Sequence, residues 1–575
     1  MNTRTLISVV LVLLASVFAH AQVACDPLDY FYDDLEVWEA AGFVNNLPQA
    51  RPYPLTLVKT ILETVLERGD STQRRIAQSH YDRFFGRVFT WGYKAELATD
   101  TYKQRKEMAL SLSADLNFAI EELVTASLSA DGWATNKLRS QELRPLGEGS
   151  SRDVIADNAK VGPFWILPSV NSSVAIGTDE YYLNAGIMRA SFGPFRNGIF
   201  AGEQALHSGQ YNFAANREKW GFNLSLNALT ATDGYADKPF PEKYVSIHNF
   251  EWRPVSWFNI SVLESIAFGG RLEPMYILPL SPYIISQGLT GFADSSWLGG
   301  IFTVKPFPGL RIDGTLYADD LSFNDIAHLN FDTKWRLAGQ LGAKWAPPES
   351  GIFTLAGIDY TMVTPYAYSH KNGDPLDLSA PNYQNYTHYG ENFGVALDPN
   401  SDRVNVKIKL RPLEDVDFDI VGVMIRHGNV NEGIDQKWAR EYVSRAPGMY
   451  DTSGSVLNSS GSEVGHAYND STPFLTQNHV QYVWQTGIEA LCRLPVLKTG
   501  GYIVFRLGYR FEYLTYPNID EQVYSYNDSI LAAIPGSPTE AEVDTETERQ
   551  LQAWIDGLGN PVVNNYIRAG FEYHY

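Results

Sequence analysis

The chain has little of what usually declares a protein's class. Two cysteines occur in 575 residues, Cys25 and Cys492. Two cannot build a disulfide framework, they lack the close spacing of a zinc site, and they leave room for one long-range bridge at most. Positive charge is short as well: 45 Lys and Arg stand against 66 Asp and Glu, a net charge of −21. An acidic protein repels phosphate backbones, so nucleic acid is not an expected partner. There is no GxxxxGK[ST] phosphate loop, no HExxH and no CxxC, and neither a cofactor nor a metal is expected. Beyond the N-terminus no apolar run reaches the ~18 residues of a membrane helix. What the chain has in quantity is aromatic side chains, 33 Tyr, 29 Phe and 13 Trp. That supply exceeds one buried core, and such rings also line membrane–water interfaces.

The N-terminus reads as an export signal covering residues 1–21. Arg4 precedes an apolar run from Leu6 to Phe18, and Ala19-His20-Ala21 supplies small residues at the cleavage positions, so the mature chain begins at Gln22. The run is too short to favour a membrane anchor, which needs about 20 residues. Lipidation at Cys25 is the alternative, against which stands Gln22, a poor residue at that place. An exported chain of this composition is either soluble or a transmembrane barrel, and periodicity decides between them.

Residues 22–86 form a helical module. Asp26 and Pro27 suit a helix start, and Leu28, Phe31, Leu35 and Trp38 share one face ended by Gly42. Leu57, Val58, Ile61, Leu62, Val65 and Leu66 make a second stripe ended by Gly69. Ser71 is the expected cap of a third helix, with Ile76, Phe84 and Phe85 inward. From about residue 87 to 575 the period is two. Leu110, Leu112, Ala114 and Leu116 alternate with Ser111, Ser113 and Asp115. Phe222, Leu224 and Leu226 alternate with Asn223 and Ser225. Val404, Val406 and Ile408 alternate with Asn405, Lys407 and Lys409, and Ile503, Phe505, Leu507 and Tyr509 with Val504, Arg506 and Gly508. Segments of about ten residues suit tilted strands crossing a bilayer, apolar side out. The chain ends on one more, with Ile567, Ala569, Phe571, Tyr573 and Tyr575 on one face. A final amphipathic strand with a terminal aromatic resembles the signal read by the barrel-assembly machinery of bacterial outer membranes. The expected fold is mainly β: a transmembrane antiparallel barrel of about 18 strands, with 16 the alternative, in contact with outer-membrane lipid. Tight connectors at 346–350 and 411–415 belong on the periplasmic side together with the helical module. Long polar stretches near 137–162, 366–402, 427–475 and 516–562 are expected outside the cell, the last with an acidic helical run from Thr539 to Leu558.

Few residues suggest chemistry. His207-Ser208 invites a hydrolase, but neighbours on a strand point to opposite faces and cannot pair directly. Asp415, Asp417 and Asp419 share a strand face that could attract calcium or simply carry lumen charge. No catalytic residue is assigned, and the expectation is a protein that is not an enzyme. The segment with Tyr366, Tyr368, His370, Tyr383, Tyr386, His388 and Tyr389 is the candidate ligand site. Tyrosine rings pack on the apolar face of a pyranose while imidazoles and amides bind hydroxyls. The other account of the same residues is a Tyr-rich loop folded on itself at the barrel mouth.

An ordered series of short motifs resembles the capsule assembly Wzi family of outer-membrane proteins. It comprises Gly42-Phe43-Val44, Leu47-Pro48 and Arg51-Pro52, then Gly193-Pro194-Phe195, His248 to Pro254 with Glu264 and Gly269-Gly270, Leu278 to Tyr283 with Gln287 and Asp294, Tyr317 to Asp320, Gly394 to Asp402, and Arg426-His427-Gly428. The series spans most of residues 28–430, and the tryptophans that precede the Gly-Pro element in the family are missing. The resemblance implies an 18-stranded barrel plugged or flanked by the helical module, which binds, assembles or retains capsular-type polysaccharide as a lectin and not as a catalyst. A porin or substrate-specific channel is the alternative, motivated by lumen-facing Lys407, Lys409, Arg411, Arg506 and Arg510.

Overall fold

The computed structural model describes residues 26–120, 124–138, 141–149, 159–203, 205–230, 242–289, 291, 294–320, 327–328, 336–365, 367–368, 383–389, 391–429, 432, 474–496, 501–520, 536 and 539–575. The export signal, Cys25, Tyr366 and His370 lie outside these described residues.

Three helices come first. In α1 (Phe31–Ala41) Phe31, Leu35 and Trp38 recur at helical spacing and are buried. Gly42 ends it at φ +86°, a left-handed conformation that suits glycine. Asp26 does not cap this helix. Its carboxylate accepts from Leu28 N at 2.8 Å in a preceding turn, and α1 begins only at Phe31. Helix α2 (Leu55–Arg68) buries Leu57, Val58, Ile61, Leu62 and Val65. The cap of α3 (Ser71–Phe85) is Asp70 and not the expected Ser71. The Asp70 carboxylate accepts from Thr72 N at 2.9 Å and Gln73 N at 3.0 Å. An ionised acceptor serves the orphan amides better than a hydroxyl one residue on. The helices close on one core that includes Phe31, Trp38, Tyr53, Leu62 and Ile76, and Trp38 Nε1 donates to Gln73 Oε1 at 2.7 Å.

The rest of the chain is a closed antiparallel barrel of eighteen strands, from Phe89–Asp100 to Val562–His574. First and last strands meet, with Gly92 opposite His574 and Asp100 opposite Tyr566. Closure pairs the backbone donors and acceptors that lipid could not satisfy. The alternation places the side chains as expected. Leu110, Leu112 and Leu116 are exposed, Leu112 at 68%, as are Leu316, Leu341, Ile358 and Leu507 around the wall, and together they form the lipid-facing belt. The inner face is polar and pairs across strands. Ser127 and Ser173 hydroxyls lie 2.9 Å apart, Asn223 Nδ2 donates to Asn249 Oδ1 at 3.0 Å, and Thr303 donates to Asp313 at 2.7 Å.

At one end strands join through tight turns, such as 308–309 and 414–415. Aromatic pairs ring this end: Trp91 with Tyr575 at 5.9 Å, Trp220 with Phe250 at 6.4 Å and Trp345 with Phe353 at 5.2 Å between centroids. Long segments occupy the other end, and there the acidic run forms helix Glu540–Gly557 with a Thr539–Glu542 capping box. Two long segments, 193–206 and 270–294, were not among those expected, because both are too apolar to stand out as polar loops. Cys492 is half-buried and unbridged.

The last strand is hydrogen-bonded on both sides, to Gly501–Leu514 and to the first strand. Removing residues 562–575 exposes both ladders, at several kcal/mol for each unpaired group in lipid. The truncated chain is expected to yield no folded barrel, seen as complete loss of the heat-modifiable band in SDS gels. A heat-modifiable truncated protein would contradict this closure.

Candidate functional site

The described lumen is filled from both ends. Helix α1 enters it from the short-turn end with acids along one side. Asp33 and Asp34 sit in the first turn, where the helix dipole favours negative charge. Each acid meets cations that the barrel strands point inward. Asp34 lies 3.1 Å from both Arg411 and Arg493. Glu36 reaches Lys344 at 2.6 Å and Lys407 at 3.9 Å, Glu39 reaches Arg311 at 2.5 Å, and Asp33 pairs with Arg196 and with Lys407, the latter at 3.7 Å. His80 of α3 lies 2.9 Å from Asp34. Burial would raise these carboxyls, but Arg493, His80 and Arg411 outweigh it and hold Asp34 well below the usual carboxylate range. Lys344 and Lys407 outweigh burial at Glu36 and bring it down to about 2. The N-terminal end of α3 touches the turns: Arg75 pairs with Asp415 at 2.8 Å, and Ser350 N donates to Asp70 at 2.7 Å.

These contacts account for several residues singled out in the sequence. Lys407 and Arg411 neutralise α1. Lys409 lies 3.8 Å from Asp419, Arg506 3.2 Å from Glu572 and Arg510 3.0 Å from Glu148. Asp417 pairs with Arg411 at 2.5 Å and Asp419 with Lys407 at 3.3 Å, so cations of the chain itself occupy the acidic strand face. No metal-binding group occurs among the described residues. His207 lies 3.7 Å from Asp26 at the start of its strand.

At the long-loop end the described residues of two segments, 193–203 with 205–206 and 383–389 with 391–400, fold into the lumen together with 367–368. Ile199, Phe200, Tyr368, Tyr386, Phe393 and Val395 pack on the wall residues Ile247, Leu263, Trp297 and Tyr317. The Tyr386 ring is fully buried, 4.9 Å from Trp297 and 5.5 Å from Tyr368 between centroids. The Tyr368 hydroxyl donates to Ile199 O at 2.7 Å and that of Tyr386 to Phe200 O at 2.6 Å. Burial pushes both hydroxyls up, so they remain protonated donors. The inward Lys243 ammonium donates to Asn385 Oδ1 at 2.7 Å and Thr387 O at 3.0 Å. His388 is buried. Its Nδ1 accepts from Thr230 N at 3.0 Å, so Nε2 carries the proton toward His207 O at 3.1 Å. The module and this plug are joined, with Ala50–Arg51 pairing with Ser191–Phe192 and Arg51 donating to Gly193 O at 2.9 Å.

Of the seven candidate residues, then, Tyr368, Tyr386 and His388 are buried in the plug, and Tyr383 and Tyr389 are half-buried beside it. The plug's other half, 193–206, was missed because its partners lie far away in sequence. A polar network above the plug was missed for the same reason. Ser401 Oγ lies 2.7 Å from His427 Nδ1, and His427 Nε2 lies 2.6 Å from Asp520. The order is that of a hydroxyl–imidazole–carboxylate relay, but Ser401 is 1% exposed and offers no approach to a substrate carbonyl.

Comparison with known proteins supplies the fold's relatives. No family model and no curated protein matches the sequence. Among solved structures the chain is similar to Wzi of Escherichia coli, described as a carbohydrate-binding β-barrel of the outer membrane involved in group 1 capsule assembly. Identity is 12%, the match covers 96% of this chain and 99% of that one, and the TM-score is 0.52. OprD and OpdK of Pseudomonas aeruginosa match at 10% and 9% identity over 85% of this chain and 93% and 98% of theirs, with TM-scores of 0.39 and 0.40, too low to carry an argument. At such identity a likeness shows the fold alone, and the fold is plain: this chain is a closed eighteen-stranded outer-membrane β-barrel built like the carbohydrate-binding barrel Wzi.

Proposed function

We propose that this barrel binds surface polysaccharide, of capsular type, and helps assemble or retain it at the cell, acting as a lectin without catalysis. The observation that carries the proposal is a described lumen filled from both ends in a barrel sharing the fold of a carbohydrate-binding protein over 96% of its length. Short turns mark the periplasmic end of outer-membrane barrels. The helical module therefore faces the periplasm and the long segments face outward. In this proposal the glycan lies on the outward surface of the aromatic segment. Tyr383 and Tyr389 contact it, Tyr368, Tyr386 and His388 hold the segment in place, and Tyr366 and His370 are proposed with them from the sequence alone. The strand ending in Tyr575 is the part offered to the assembly machinery.

Deleting the gene is expected to move polysaccharide from the cell-attached to the released fraction, and unchanged retention would overturn the proposal. With purified protein and purified polysaccharide, Tyr383→Ala and Tyr389→Ala are each expected to weaken binding roughly fivefold, since a lost ring contact is worth about 1 kcal/mol. The channel alternative loses its motive where Lys407, Arg411, Arg506 and Arg510 are neutralised by carboxylates.

A further inference from the structure

Residues 270–289 do not cover the mouth of the barrel but lie against its outer wall. Strand parity establishes the side. On Phe258–Gly269, Leu263 and Ala267 belong to the lumen core, so Glu264, Ile266 and Phe268 point outward. On Glu242–Val255, Val245 and Ile247 belong to the lumen core, so Ser246 and His248 point outward. Nearer the short turns the same outward rows are bare: Phe250, Trp252, Ile260 and Val262 are exposed, Val262 at 62%. Ile266 and Phe268 are instead fully buried, together with Leu224, beneath Tyr276 and Tyr283.

The contacts beneath this segment are specific. Tyr283 N donates to Glu264 Oε2 at 2.9 Å, Ser246 Oγ donates to Tyr276 O at 2.8 Å, and the Tyr283 hydroxyl lies 2.6 Å from Ser246 Oγ. His248 Nε2 lies 3.1 Å from Glu264 Oε2, and the Tyr283 ring covers the imidazole at 4.1 Å between centroids. Arg271 and Asp294, 2.6 Å apart, tie the two ends of the segment together. Glu264 stands ~15 Å above Phe258, taking roughly 3.3 Å per residue and a strand tilt of ~40°, well inside the ~25 Å apolar band. An imidazole and a carboxylate bare to hydrocarbon at that depth would be strongly unfavourable. The segment removes them from lipid. Its own far side is apolar, with Leu278, Leu280, Ile285 and Leu289 exposed, Leu280 at 84%. That patch continues the lipid-facing row of Ile260 and Val262.

We infer that residues 270–289 form a lateral lid immersed among lipid acyl chains in the leaflet nearer the long loops. Leu278, Leu280, Ile285 and Leu289 are its lipid contacts, and the His248–Glu264 pair is sealed behind it. The inference is independent of any glycan role. It is tested by spin labelling of the full chain in phosphatidylethanolamine–phosphatidylglycerol vesicles, in a Cys25→Ser, Cys492→Ser background. Labels are placed at Leu280→Cys, at Val262→Cys as the lipid reference and at Glu414→Cys as the aqueous reference. Retention of the heat-modifiable band shows that each is folded. The Leu280 label is expected to match Val262, with oxygen collisions exceeding those of a water-soluble nickel chelate several-fold. Predominant nickel collisions, as at Glu414, would put the lid in water and overturn the inference. Low collision with both agents would put protein over the lid and overturn it equally, with label–label broadening identifying a second copy as the cover.

Discussion

Replacing Asp33, Asp34 and Glu36 with lysine is expected to release the helical module from the short-turn end of the barrel. The wild-type lumen is closed at the short-turn end by carboxylates that meet Arg196, Lys344, Lys407, Arg411 and Arg493. Removing one partner of a buried pair costs about 3–5 kcal/mol because the other charge is left uncompensated. Reversal adds repulsion, and the strands retain their own ladders, so the module undocks while the barrel persists. Amide exchange across residues 31–85 is expected to be slow in the wild type and fast in the triple variant, while the aromatic plug at the long-loop end keeps its protection. Slow exchange in a variant with a heat-modifiable band would show that packing alone, not charge, holds the module. Acid should act in the same direction. Asp34 and Glu36 have depressed folded-state values, so their contribution is fully present above the ordinary glutamate value of 4.5 and fades as pH falls toward the Glu36 value of about 2. Burial also holds His80 below its ordinary 6.5, and its contribution starts to erode once pH falls below that value. Release of the module is therefore expected to be absent at neutral pH and to rise mainly between about 4.5 and 2.

Tyr386→Ala is the second large effect. The ring is fully buried between Trp297 and Tyr368, and truncating such a ring costs about 3–5 kcal/mol. At ~1.4 kcal/mol per factor of ten, the plug's opening equilibrium rises at least about a hundredfold. Amide exchange across 193–206 and 391–400 should accelerate by that factor, and glycan binding should fall with it. Tyr386→Phe keeps the ring and loses the hydroxyl's hydrogen bond to Phe200 O and its contacts with Tyr317 and Ser265, at about 1 kcal/mol for each hydrogen bond. It should leave the plug closed. Equal effects from both variants would mean that the hydroxyl, not the ring, organises the plug.

Local physics was legible in the residues. The spacing of Phe31, Leu35 and Trp38 with Gly42 after them marks a helix and its end. The alternation of Leu110, Leu112 and Leu116 with Ser111 and Ser113 marks a strand and the side that meets lipid. The exchange of Ser71 for Asp70 as a cap shows the limit of such reasoning even at short range, where two good acceptors compete one residue apart. The candidate site was legible only as a composition. Seven aromatic and imidazole residues announced a sugar-like surface or a self-packed loop, and for Tyr368, Tyr386 and His388 the difference lies in carbonyls at Ile199, Phe200 and His207. One signal went unread: four acids from Asp33 to Glu39 call for as many cations, and the inward strand positions carry them.

Strand period, helix face and the direction of each side chain are properties of a few consecutive residues, because φ and ψ repeat locally and one side must meet an apolar medium. That much follows from the chain alone, and it is why an eighteen-strand barrel with a helical module could be expected from it. Which charge meets which is another matter. Asp34 and Arg493 become neighbours only after closure of the barrel fixes the register of every strand between them, and the apolar stretch 270–289 could as well have entered the lumen as the wall. The plugs seen among the described residues and the lateral lid are consequences of that closure.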